Sequence, residues 1–271
     1  MGGCKTISIE SDGTFARVTL NRPERRNAID GQMVAELSEA FEGLAREQSL
    51  RGIVLAAAGS VFCAGADIQW MQSASPLSNG QAMDDARHLT LMLRAIDECP
   101  CPVLARVQGP AFGGGLGLMA VCDMVAASED ATFSLSEAKL GLIPAVIAPY
   151  LLRRAGESFL RRYALSGDLF TASTAGRFGL AHDVVQPDGL DDRVAELLEA
   201  IMRLGPQAVR ISKALIRDLV QSPHDDVRAM CAAANADIRV APEATEGLRA
   251  FVEKRPPSWA KPHELKAQQE M

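Results

Sequence analysis

Between the apolar run Val103-Leu104-Ala105-Arg106-Val107 and a second one, Leu118-Met119-Ala120-Val121-Cys122, lies Gly109-Pro110-Ala111-Phe112-Gly113-Gly114-Gly115-Leu116-Gly117. Four of the last five residues of that link are glycine. The first run reads as a buried strand and the second as a short helix. Glycines at such a junction leave backbone N–H groups uncovered at a helix N-terminus, where the helix dipole favours negative charge. The chain must therefore build a strand-to-helix turn that holds a phosphate or an oxyanion.

The pattern around this turn is α/β. Ile7–Glu10 and Phe15–Leu20 flank Ser11-Asp12-Gly13-Thr14 and read as a β-hairpin with Asp-Gly in the turn. Val34, Leu37, Phe41 and Leu44 recur at helical spacing and predict an amphipathic helix from about Gly31 to Arg46. Gly52–Ala57 is continuously apolar, as in a parallel strand covered on both faces. A loop from Ala58 to Asp67 follows, then a Ser-, Pro-, Asn- and Gly-rich connection at 73–80 that is expected to be mobile, then a helix from about Gln81 to Glu98. Asp123–Ala127 and Thr132–Ser134 read as short strands. Beyond Pro144 the signals are almost all helical, broken at Gly156, Gly167, Gly189 and Pro206. This predicts an α/β core over residues 1–190 and a helical region over 191–271.

Composition removes several functions. A net charge of −6 without a Lys/Arg cluster argues against a nucleic-acid partner. The short basic runs (Arg22 with Arg25 and Arg26, Arg153-Arg154, Arg161-Arg162) are expected mostly on solvated faces. No apolar run approaches the ~18 residues of a membrane span, and no N-terminal stretch resembles a signal peptide. The six cysteines and four histidines show no metal spacing, so the expectation is reduced, buried thiols, no metal and a cytoplasmic location.

The glycine turn admits three readings. Gly115-Leu116-Gly117-Leu118-Met119-Ala120 fits a dinucleotide-binding Gly-x-Gly-x-x-Ala, but the helix after it is too short and no acidic residue clearly ends the next strand. Tight helix packing needs one or two glycines, not three in a row. An oxyanion site needs a second donor. Cys63-Ala64-Gly65-Ala66-Asp67-Ile68 supplies it, with Asp67 placed to cap a helix at Ile68–Met71. Two strand-to-helix turns, each with a bare N–H, can converge on one carbonyl oxygen.

These residues carry a resemblance. Leu20-Asn21-Arg22-Pro23 with Asn27-Ala28, Phe62–Ile68, Gln108-Gly109 with Gly113-Gly114-Gly115, Cys122-Asp123, Ser136-Glu137 running into Leu140–Pro144, Gly179-Leu180, and Phe251 with Glu253-Lys254-Arg255 resemble, in order and over nearly the whole chain, the crotonase or enoyl-CoA hydratase/isomerase superfamily. The resemblance implies a ββα superhelical core, a helical C-terminal trimerisation region and a hexamer built from two trimers. It implies an acyl-CoA thioester as substrate, CoA being part of that substrate and no separate cofactor being needed.

By the same resemblance the N–H groups of Ala66 and Gly114 form an oxyanion hole for the thioester. Ala64, Gly65, Asp67, Ile68 and Gly113 lie along the bound molecule, with the adenine end near Ala64 and Ile68. Arg26 and Ala28 follow the pantetheine and phosphates, and Phe251 and Lys254 reach a neighbouring subunit's CoA.

Hydratases of the family resemble one another in two glutamates. The second is present as Glu137, whereas the first position is Gly117. A carboxyl beside Cα of an enolised thioester serves as general acid or base. Asp67 and Asp123 are the next carboxylates, both better explained as a helix cap and a strand-start turn. Glu137 can handle both ends of a hydration, or the substrate can bring its own carboxylate. Gly115-Leu116-Gly117 and Leu142–Pro149 resemble bacterial methylglutaconyl-CoA-type hydratases, which implies a branched substrate such as 3-methylglutaconyl-CoA or isohexenylglutaconyl-CoA, from leucine or acyclic terpene breakdown. A single glutamate also suits a Δ3,Δ2-enoyl-CoA isomerase, and Gly117 is compatible with a non-catalytic acyl-CoA binder. The acyl wall is sought among Trp70, Met71, Met83, Leu142, Val146 and Ile147.

Overall fold

The computed structural model describes residues 4–74, 79–221 and 227–260. They divide into two compact units, residues 1–194 and 195–271.

The first unit is built on a six-stranded sheet of β1 (Ile7–Ser11), β2 (Phe15–Leu20), β3 (Gly52–Ala57), β4 (Val103–Val107), β6 (Met124–Ser128) and β9 (Asp183–Val185), in that spatial order. β1 and β2 pair antiparallel from Ile7↔Leu20 to Ser11↔Ala16. Asp12 closes their turn, its carboxylate accepting from the N–H groups of Thr14 at 2.8 Å and Phe15 at 2.7 Å. The remaining neighbours are parallel. All of β3 is buried, which is why its apolar run shows no alternation.

Helix α1 (Gly31–Arg46) starts where Asp30 accepts from the Met33 N–H at 2.9 Å and buries Met33, Val34, Leu37, Ala40 and Phe41 along one face. Helix α2 (Ile68–Ala74) and helix α3 (Asn79–Asp97) follow. Of the connection expected at 73–80, residues 75–78 lie outside the described residues, and 79–80 already belong to α3.

A second, three-stranded sheet joins β5 (Ala111–Phe112), β7 (Thr132–Ser134) and β8 (Phe170–Thr171). Helix α4 (Gly114–Val121) begins inside the glycine run rather than after it, because a helix opening at Gly114 leaves its first amides free for the cavity. Helix α5 (Ala148–Ser166) kinks at Gly156, whose φ is +82°. Phe159, Tyr163, Phe133 and Phe170 cluster with ring centroids 4.4–5.5 Å apart, which fixes α5 against the small sheet. Helix α6 (Ala172–Arg177) precedes β9.

Two expectations hold with exceptions. The segment beyond Pro144 is not all helical: β8 and β9, two and three residues long, are too short to show a period of two. The arginine runs are not all solvated either. Arg22 is tied to Asp30 at 2.9 Å and Asp67 at 3.2 Å. Arg154 is half-buried and donates to the carbonyls of Ala120, Cys122 and Asp123 at and just beyond the end of α4.

Helix α7 (Leu190–Met202) crosses the boundary between the units, and α8 (Pro206–Gln221), α9 (Val227–Arg239) and α10 (Pro242–Val252) follow. Within the second unit Glu243 accepts from the N–H groups of Gln207 at 2.9 Å and Ala208 at 2.8 Å, capping α8 from α10. No described helix is long and apolar enough to cross a membrane.

Candidate active site

Three loops meet at the ends of the strands, and backbone pairing sets their register. Ile29 donates its N–H to the Gly65 carbonyl and accepts from the Asp67 N–H, both at 2.8 Å. Cys63 bridges to Ala111, and the Phe112 N–H reaches the Cys63 carbonyl at 2.9 Å. Phe112 pairs with Ser134, and the Gly113 N–H reaches the Ser134 carbonyl at 3.0 Å. The chain around 29, 65, 112 and 134 is thus one continuous ladder, and Glu137 follows three residues beyond its last rung.

Two side chains hold this ladder from behind. Asn27, fully buried with φ +53°, donates through Nδ2 to the carbonyls of Ala58 and Val61, both at 2.8 Å. Arg22 links Asp30 to Asp67. Asp67 also caps α2 by accepting from the Gln69 N–H at 2.9 Å. Burial pushes its carboxyl up, but the α2 amides and Arg22 outweigh that and hold it below the ordinary range.

The ladder sets the Ala66 and Gly114 amides side by side. A Cβ built on Gly114 would stand 3.9 Å from the Ala66 nitrogen, and one built on Gly65 would stand 3.6 Å from the Gly114 nitrogen. Among the described residues neither amide has an acceptor. Glycine is required nearby: Gly113 sits at φ +46°, and a Cβ on Gly115 would fall 2.6 Å from the Cys63 carbonyl oxygen.

Glu137 opens a short 3-10 turn (Glu137–Leu140) and lies against this corner, its Oε1 3.0 Å from where a Gly113 Cβ would be. Its Oε2 is buried without a hydrogen-bond partner. Burial raises its pKa, opposed only by its own backbone N–H. This is a carboxyl poised to carry a proton.

The three groups share a cavity of about 520 Å³, walled by Arg25, Ala28, Ala64, Gly65, Ala66, Asp67, Ile68, Met71, Gly113, Gly114 and Glu137 together with Ser136, Lys139, Leu140 and Leu142. Sequence reading named Asp67, Glu137 and the backbone around Ala66 and Gly114 but chose Arg26 where Arg25 lines the cavity. A local signal existed: Arg25 ends the 3-10 turn Pro23–Arg25, while Arg26 adopts φ +53° and gives its carbonyl to the Ala64 N–H at 3.0 Å. Lys139 and Ser136 were missed. Of the candidates for the acyl wall, Met71 and Leu142 line the cavity, and Trp70, Met83, Val146 and Ile147 do not. Phe251 and Lys254, in the second unit, are exposed, and Lys254 has φ +52°.

Ile147 has a different task. A Cβ on Gly117 would lie 2.3 Å from Ile147 Cγ2, so an apolar side chain fills the space that any side chain at 117 would need. Asp123 is occupied at the start of β4, accepting from the Val103 N–H at 2.7 Å. Glu137 is left as the carboxyl of the cavity without a structural task. Among the described residues no cluster of His, Cys, Asp and Glu could hold a metal.

Two backbone donors and one uncommitted carboxyl at the carboxyl ends of parallel strands define an α/β enzyme site rather than a nucleotide fold. Residues 10–262 match the sequence model of the family described as "Enoyl-CoA hydratase/isomerase". The fold is similar to the crystal structure of an enoyl-CoA hydratase from Shewanella pealeana, at 36% identity and TM-score 0.90, covering 94% of this chain and 96% of that one. It is similar to Pseudomonas aeruginosa AtuE at 36% identity and TM-score 0.92, covering 95% and 100%. Among curated proteins, the mevalonyl-coenzyme A hydratase sidH of Aspergillus fumigatus is 34% identical over 247 residues, 89% of this chain and 90% of that protein. The chain belongs to the enoyl-CoA hydratase/isomerase family of the crotonase superfamily and is an enzyme of that family.

Proposed function

We propose that this protein adds water across the C2=C3 double bond of an α,β-unsaturated acyl-CoA thioester. The observation that carries the reading is the pair of amides without acceptors, Ala66 and Gly114, beside the Glu137 carboxyl in one cavity. The two N–H groups grip the thioester oxygen, where charge gathers as an enolate when water attacks C3.

Glu137 then serves both ends of the addition. Its protonated oxygen gives a proton to C2 while its other oxygen takes one from the water whose oxygen bonds to C3. The carboxyl ends protonated, as it began, and the product is the 3-hydroxyacyl thioester. Burial favours that starting form. Arg25, Ala28, Ala64, Gly65, Asp67, Ile68 and Gly113 lie along CoA, which is part of the substrate, and no separate cofactor takes part. Phe251 and Lys254 reach the CoA of a neighbouring subunit in a hexamer. We place the enzyme in the cytoplasm.

For the acyl group we propose a branched glutaconyl thioester, 3-methylglutaconyl- or isohexenylglutaconyl-CoA. The likeness of Gly115-Leu116-Gly117 and Leu142–Pro149 to methylglutaconyl-CoA-type hydratases supports it. Incubation with 3-methylglutaconyl-CoA and crotonyl-CoA, followed at the absorbance band of the conjugated thioester, tests the activity, because hydration removes that band. The filled space at Ile147 supports a second reading, a Δ3,Δ2-enoyl-CoA isomerase, since one base suffices to shuttle a proton between C2 and C4. That activity would create the band from a 3-enoyl thioester.

A further inference from the structure

The cavity wall carries charge of both signs, and only part of it is engaged within the protein. Asp67 is held by Arg22 and the start of α2. Arg25 and Lys139 line the same cavity and are exposed; Lys139 acts on Asp168 through space, and among the described residues neither cation forms a contact ion pair with a carboxylate. Asp168 is already paired with Arg162 at 2.7 Å. In a chain of net charge −6, two uncommitted cations on one wall mark a ligand with more than one anionic part.

The two cations stand on different elements. Arg25 ends the turn that leads to Ala28, on the side of the cavity walled by Ala28 and Ala64. Lys139 is on the turn that begins with Glu137, and its stem is laid over Gly167, where an added Cβ would meet Lys139 Cε at 2.9 Å. Its neighbours on the wall are Leu140 and Leu142. With the thioester oxygen at Ala66 and Gly114 and C2 at Glu137, the acyl chain continues past the turn that carries Lys139. Apolar walls suit a branch there, and a cation beside them suits a charged chain end.

We infer that Lys139 is a specificity-determining residue that selects acyl-CoA thioesters whose acyl chain ends in a carboxylate. The inference rests on the placement of thioester and C2 given under the proposed function. A charge-assisted contact at an exposed ammonium is worth about a two- to fivefold preference, and salt weakens it.

Calorimetric binding of 3-methylglutaryl-CoA and 3-methylpentanoyl-CoA tests this without turnover, because the two differ only in a terminal carboxylate against a methyl. The wild type should bind the first about two- to fivefold tighter, and about 0.5 M salt should shrink that ratio. Lys139→Met, which keeps the stem, should bring the ratio close to one, and Lys139→Arg should preserve it. A wild-type preference that survives in Lys139→Met overturns the role of Lys139 alone. A wild type without preference overturns it together with the dicarboxylic substrate. Selective binding without hydration of the unsaturated thioesters leaves Lys139 in place and removes the hydratase reading.

Discussion

Gly117 and Ile147 form a matched pair whose energetics can be worked from the structure. A Cβ on Gly117 would sit 2.3 Å from Ile147 Cγ2 and 3.1 Å from Ile147 Cβ, well inside the roughly 3.5–4 Å of a favourable carbon contact. Ile147 is only 5% exposed, and its clashing methyl is fixed by β-branching rather than being the end of a flexible chain. Gly117→Ala therefore sets an overpacking cost of about 1–3 kcal/mol against a helix-propensity gain of about 1 kcal/mol, a net loss of up to about 2 kcal/mol. Ile147→Ala alone loses about 2–5 kcal/mol by leaving a cavity. Gly117→Ala placed on the Ile147→Ala background meets no Cγ2 and keeps only the 3.1 Å approach to the Cβ at 147, so its loss should vanish or become a gain of up to about 1 kcal/mol, and the pair couples by about 1–2 kcal/mol. Urea unfolding of the four proteins, with equal slopes, measures this. If Gly117→Ala destabilises both backgrounds alike, Ile147 is not what excludes a side chain at 117. For the same reason Gly117→Glu should lose stability and gain no rate, because the wall has no room for a second carboxylate.

Further outcomes concern the site and the core. Glu137→Gln should keep the fold and CoA binding while lowering kcat by about 10²-fold or more with little change in KM; near-full turnover would move the chemistry to another acid. In the wild type, hydration through a protonated Glu137 should fall as pH rises through its raised pKa, whereas isomerisation through the carboxylate should rise, so the slope of the profile decides between the readings. Gly114→Pro removes one donor at the first position of α4, where proline fits a helix, and should cost about 10²–10³ in kcat; retained activity would exclude that amide from the oxyanion hole. Glu36 is buried, which pushes its carboxyl up, but the N–H groups of Lys5 and Thr6 (each 2.9 Å), the Thr6 hydroxyl (2.6 Å) and Gln32 (2.8 Å) pull it down to about 2. Its folded pKa lies below its unfolded one, so its contribution, on the order of 2–3 kcal/mol, is present above pH ~4.5 and lost as pH falls toward 2. Glu36→Gln should flatten that part of the acid unfolding curve, and an unchanged acid slope would refute the assignment.

What the sequence displays is local. The limits of α1, β3 and β4 follow from a helical apolar stripe and from runs buried on both faces, and Asp67 reads as a cap from its position before Ile68. The glycine turn and Glu137 are legible because few residue types can do what those positions require. The ladder through Ile29, Gly65, Phe112 and Ser134 is not legible, since each rung joins segments about 20 to 50 residues apart by one or two backbone pairings that any side chain permits. The same holds for Ile147: nothing in Val146-Ile147-Ala148 announces that it occupies the space above Gly117. Arg154 shows the converse case, an arginine whose run suggests solvent but whose donors are committed to the carbonyls that end α4.

The hydrogen-bond accounts of the protein point to the same place as the resemblance. Buried polar groups in a folded chain find partners, and each one left without costs about 1–3 kcal/mol. Gln108 Oε1 and Trp259 Nε1 are such exceptions away from the cavity, and a further group of them lies on it. Among the described residues the Ala66 and Gly114 amides have no acceptor and Glu137 Oε2 is buried without a partner, and all three line one cavity. The surrounding scaffold is well satisfied by contrast: Asn27, Arg22 and Asp67 each make two or more bonds that hold the loops in register. A chain that satisfies the support and leaves the face bare has fixed three groups in position at a cost to its own stability. One thioester oxygen held by the two amides, with a water shared between C3 and Glu137, would satisfy all three at once. The bound state would therefore recover what the free protein leaves unmade, and it would do so most fully when negative charge has moved onto that oxygen.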